Sequence, residues 1–72
     1  MHVGTRLAAA IERIKGIFQE VPGTRLNLIE AVQLSGLEPR TCRIVLEALA
    51  DAGFLTLRPG GFFIRRSDTP TV

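Results

Sequence analysis

The chain has very little of the chemistry that enzymes and metal proteins depend on. Its one cysteine, Cys42, leaves no intramolecular disulfide to form, and its one histidine, His2, stands near a chain end, so neither a disulfide framework nor a zinc-type ligand cluster is indicated. No nucleophile has a histidine partner, no two carboxylates suggest a cleft, and no glycine-rich loop looks built to cradle phosphate. Gly60-Gly61 belongs to a turn and not to a nucleotide site. No apolar run approaches the roughly 18 residues of a membrane span. The start of the chain also lacks a basic region followed by an apolar stretch and a small-residue cleavage site, which points to a cytoplasmic protein with no membrane role. These absences argue against an enzyme and predict no cofactor.

What is present suits one small packed domain. The 72 residues are 46% apolar and 22% charged with both signs mixed, a balance that favours a globule over a disordered segment. A chain of this size buries only about 60% of the surface its unfolded form exposes, so its core is marginal and burial by a partner would help it. Nine Lys and Arg against seven Asp and Glu give a net charge of +2, and eight of the nine cations are Arg. That lean is too mild to identify a nucleic-acid binder, although the planar donor fork of Arg suits phosphates and guanine edges.

From Arg6 to Glu20, Leu7, Ile11, Ile14 and Phe18 recur at helical spacing, and Ala10, Ile17 and Val21 widen the apolar face. The spacing predicts a first helix capped at Thr5 and stopped by Val21-Pro22-Gly23. Gly16 falls on the far face, where it costs about 1 kcal/mol relative to Ala. It is either a neutral surface position or a place for close packing against a second protomer. Thr24-Arg25-Leu26 suits a brief strand that pairs with a later hairpin. Asn27 can cap a helix from Leu28 to Leu34, with Glu30 reaching back to close a capping box. Ser35-Gly36-Leu37 makes a turn, and Leu37 returns to the core.

Glu38-Pro39 opens a third helix, since proline lacks only an N–H that would be unpartnered at that position. Cys42, Val45, Leu46 and Leu49 form its apolar face, Cys42 as an inert small hydrophobe, while Arg40, Arg43, Ile44, Glu47 and Asp51 face away. Gly53 ends it. Phe54 to Arg58 and Phe62 to Arg66 read as strands joined by Pro59-Gly60-Gly61. Because strand neighbours point to opposite faces, Phe62 and Phe63 should differ in exposure. The expected fold is mainly α with a small β-hairpin: three helices and a two- to three-stranded antiparallel sheet, in the order of a winged helix-turn-helix. The domain spans residues 5–66, with flexible ends at 1–4 and 67–72.

Leu26 to Leu37, Thr41 to Leu49 and Ala52-Gly53-Phe54-Leu55 together resemble the winged helix-turn-helix domains of small bacterial transcription regulators. The likeness is to the amino-terminal domains of the IclR and MarR classes and covers about Leu7 to Arg66. It implies a DNA-binding regulator whose third helix enters the major groove with Pro39, Arg40, Thr41, Arg43, Ile44 and Glu47 nearest the bases. The hairpin wing would set Arg58, Arg65 and Arg66 against phosphates or the minor groove. Ile44 and Glu47 depart from the usual polar or basic pattern. An acid there opposes the phosphate field, yet Glu can accept from cytosine N4 and Ile can touch a thymine methyl.

Each of these residues also has a plainer role. Arg40 and Arg43 can be a solvated pair balancing Glu38 and Glu47. The wing arginines can instead guard a strand edge, and Arg6, Arg13 and Lys15 can simply keep helix one soluble. Two functions therefore stand side by side. One is a homodimeric regulator of double-stranded DNA, paired through helix one and possibly the hairpin. The other is a winged-helix module that docks a protein through Ile44 and the acidic half of helix three.

Overall fold

A computed structural model of the chain describes residues 3–68. The described residues form helix α1 (Val3–Glu20), strand β1 (Arg25–Asn27), helices α2 (Leu28–Ser35) and α3 (Pro39–Asp51), strands β2 (Leu55–Arg58) and β3 (Phe62–Arg65), and a 3-10 turn (Arg66–Asp68). The strands make one antiparallel sheet in the order β1-β3-β2, so the brief strand after α1 joins the hairpin as its third member. Three helices and a three-stranded antiparallel sheet in this order are compatible with a winged helix-like fold. No helix among the described residues is long and apolar enough to cross a membrane.

Local chemistry sets the element ends. Asn27 accepts from the Glu30 amide at 2.8 Å while the Glu30 carboxylate accepts from the Asn27 amide at 2.9 Å, which satisfies two donors of the first turn of α2. That helix ends at Gly36, whose φ of 72° lets its amide turn back to the Val32 carbonyl. Gly53, at φ 84°, performs the same service after α3 and sends the chain into β2.

The core gathers Ala10, Ile14 and Phe18 from α1, Leu26 from β1, Ala31 from α2, Cys42, Val45, Leu46 and Leu49 from α3, and Leu55 from β2. The four α3 residues expected to point inward are all buried, and Leu37 and Phe63 pack against the cluster. A buried polar joint accompanies it. Ser35 is buried at the end of α2, where its hydroxyl accepts from the Leu37 amide at 3.2 Å and its carbonyl accepts from Arg13 Nη1 at 2.7 Å. Arg13 thus does more than keep α1 soluble. It places a positive charge at the carbonyl end of α2, the end the helix dipole makes negative.

Several expected boundaries shift. Helix α1 begins at Val3, so Thr5 lies inside it and is not its cap; Arg6-Leu7-Ala8-Ala9 are good helix formers and propagate the helix backward. The helix outruns the core at its start, which leaves Leu7 39% exposed, and Val21, in the bend after its end, is 61% exposed, although both were expected on the packed face. Helix α2 extends one residue further than expected, to Ser35. Ser67 and Asp68 are not a frayed tail. They sit in the 3-10 turn, where Asp68 accepts from the Gly23 amide at 3.0 Å and from Arg65 Nη2 at 3.3 Å. Residues 1–2 and 69–72, also expected to be flexible, lie outside the described residues.

Candidate nucleic-acid interface

The residues singled out as DNA contacts fall into three groups. The first is an outward stripe on α3 formed by Pro39, Arg40, Arg43 and Glu47, all exposed. Pro39 holds the first helical position, the first turn carries no acid, and the N-cap Glu38 makes no side-chain cap bond. Arg40 forms no salt bridge among the described residues, whereas Arg43 Nε lies 3.4 Å from Glu47 Oε2. Both partners of that pair are well exposed, so water and salt screen it and its contribution to stability is at most a few tenths of a kcal/mol. The bridge is weak enough for a phosphate or a base edge to replace the carboxylate.

The second group, Thr41 and Ile44, turns toward α1. With Arg6, Leu7, Ala10 and Leu37 these residues line an open, largely apolar groove of about 540 Å³. Ile44 remains 51% exposed at its rim, between the groove and the arginine stripe.

The third group, the wing arginines, is dispersed. Arg58 is exposed at the tip, where its carbonyl closes the turn by accepting from Gly61 N at 3.1 Å. Arg65 pairs in register with Leu55, a buried core residue, so alternation turns its side chain to the core side of the sheet. There its guanidinium bonds Asp68 with both side chains largely covered, so in this fold it is engaged within the domain. The Gly23 amide first, and then Arg65, hold the Asp68 carboxyl below the usual carboxylate range. Arg66 is exposed at the base of the wing beside Gly53: a methyl group built on that glycine would come within 3.9 Å of Arg66 Nη1.

Pairing also creates a cationic neighbourhood that the linear reading missed. Arg25, Ile64 and Thr56 stand in one cross-strand row, and Asn27, Phe62 and Arg58 in the next, on the sheet face opposite Leu26 and Phe63. The Arg25 guanidinium lies 4.8 Å from the centre of the Phe62 ring. Phe63 packs on the core while Phe62 carries this outer face, so the two phenylalanines do divide between faces, although each is half-buried. The signal was available: once Arg25 is placed in a strand beside the hairpin, period-two alternation puts it on Phe62's side.

Cys42 is fully buried, and burial pushes its thiol up while a hydrogen bond with Ser35 opposes the shift. That suits packing and not reactivity.

Set against family models, characterised proteins and solved structures, the chain matches none.

Proposed function

We propose that this chain is a double-stranded DNA-binding domain of a transcription regulator, cytoplasmic and non-enzymatic, with α3 as the element that enters the major groove. The observation that carries the reading is the arrangement of α3: its apolar face is consumed by the core, and its opposite face offers Arg40 and Arg43 near an acid-free first turn. Arg58 at the wing tip is the matching backbone contact. Glu47 has two states in this scheme. It holds Arg43 in the free protein and accepts from a cytosine amino group, or stands aside, in the complex.

A homodimer fits the scheme, because two-fold symmetry would present two such helices to a pseudo-palindromic site. Helix α1 is the element available for pairing, since its Arg6-Leu7-Ala8-Ala9 segment is exposed beyond the core.

The groove supports a second reading. Leu7, Ala10, Leu37 and Ile44 form an apolar surface next to the Arg43–Glu47 pair, which suits docking of a protein segment by a domain that binds no DNA. Gel-shift titration of a random-sequence duplex at low salt separates the two. On the DNA reading, Arg40→Ala and Arg43→Ala each weaken binding to the random duplex, and Arg43→Ala weakens binding to a specific site by about 1 to 3 kcal/mol if it reads a base, while Leu7→Ser leaves the protomer's affinity unchanged. On the docking reading no duplex is retained.

A further inference from the structure

We propose that the outward face of the sheet is a stacking site for an unpaired nucleobase, with Phe62 as the platform and Arg25 and Arg58 as partners of the flanking phosphates. This inference does not depend on the duplex contact assigned to α3, though the two share Arg58 as a phosphate partner. It begins from the register: Phe62 belongs to the central strand β3, and the outer strands supply Arg25 on one side and Arg58 on the other. With strands about 4.8 Å apart and the two arginines one row out of step, their positions lie roughly 12 Å from each other on a diagonal across the sheet, on either side of anything resting on the ring.

The chemistry of the face is selective. Its six side chains are Arg25, Asn27, Thr56, Arg58, Phe62 and Ile64, and none is acidic. The nearest acid by sequence is Glu30, whose carboxylate is engaged with the Asn27 amide in the capping box. A half-buried aromatic ring flanked by two exposed arginines, with Ile64 and Thr56 extending the surface, fits a planar π-system carrying negative charge at both ends. One nucleotide of a single strand has that form. A protein chain would have to offer an aromatic side chain between two acids to match it.

The contact already present on the ring shows how the site works. Arg25 lies over Phe62. An exposed cation–ring contact is weaker than the stacking of a base on an aromatic side chain. An incoming base takes the place over the ring, and the displaced guanidinium, still tethered to β1, reaches the adjacent phosphate. No acid on this face competes for it.

The chain contains neither Trp nor Tyr, so Phe62→Trp introduces a single fluorophore at the platform. Titration with an oligothymidylate of about twelve nucleotides, within the usual site sizes of sheet-based single-strand binders, should quench its emission, and an abasic strand of equal length should not. An oligouridylate run alongside tells RNA from DNA as the source of the base. In anisotropy measurements on otherwise native protein, Phe62→Ala should lower affinity for oligothymidylate about tenfold or more while leaving affinity for a blunt duplex unchanged. Arg25→Gln and Arg58→Gln should each reduce the log–log salt slope for the single strand by about 0.7. Should Phe62→Ala prove unfolded by circular dichroism, the comparison of thymidylate with abasic strand on the wild-type protein decides. Equal affinity for the two strands, or emission from the Phe62→Trp variant that stays unquenched at saturation, would overturn the proposal.

Discussion

Single side chains tie the ends of the fold together at Asp68. Its carboxylate joins the turn after α1, through the Gly23 amide, to the end of β3, through Arg65. Both partners favour the charged form, so the folded pKa lies below the ordinary value of 3.8. Stabilisation from Asp68 is therefore complete above that ordinary value and is lost as pH falls through the lower folded pKa. Urea unfolding should show Asp68→Asn with a lower midpoint than the wild type at neutral pH, and the gap should close as pH falls below the ordinary value of 3.8 and through the lower folded pKa. A gap that persists undiminished in acid would show that the carboxylate's charge is not what holds the turn. The same residue shows where sequence reasoning runs out. Asp68 reads as part of a polar, proline-containing tail, because its partner Gly23 is 45 positions away and offers only a backbone N–H, which no side-chain pattern reveals.

Among the elements, helices were the most legible. The face of α3 followed from apolar spacing, and the ends of α2 and the start of α3 from Asn27 with Glu30, from Gly36 and from Pro39, since each signal acts within one turn. Helix α1 was legible in its middle and at its end, where Val21-Pro22-Gly23 stops it after Glu20, but not at its start, because how far a helix outruns its core depends on packing partners and not on its own periodicity. Two element-scale outcomes follow. A methyl group built on Gly16 meets no heavy atom within 4 Å, so Gly16→Ala should raise stability by about 0.5 to 1 kcal/mol, read as a melting temperature higher by roughly 2 to 8 °C. A lower melting temperature would mean that the open space is filled, as by a second protomer. In α2, Asn27→Ala removes half of the capping box and should cost about 1 kcal/mol in a denaturant titration. An unchanged midpoint would show that sheet pairing of β1 alone fixes the start of that helix.

For the whole molecule, the instructive result is how the arginines are distributed. In the linear sequence Arg58, Arg65 and Arg66 form one wing cluster. In the fold they part, to the wing tip, to the core side of the sheet and to the base of the wing, while Arg25 arrives from another strand to face Phe62. Strand alternation and sheet order decide this, and sheet order is a long-range property. Helix α3 kept its outward Arg40 and Arg43 because a helix face is set locally. The molecule thus presents a small number of outward cations on a small core, so duplex binding should be electrostatic, modest and sensitive to salt.

The central claim, that the outward face of α3 and the wing tip engage duplex DNA, is tested most directly by the anisotropy of a labelled random-sequence duplex titrated with the protein over a range of salt concentrations. With Arg40, Arg43 and Arg58 each neutralising one phosphate, log affinity should fall against log salt with a slope of roughly −3 per protomer. No binding at low salt, or an affinity indifferent to salt, would contradict it.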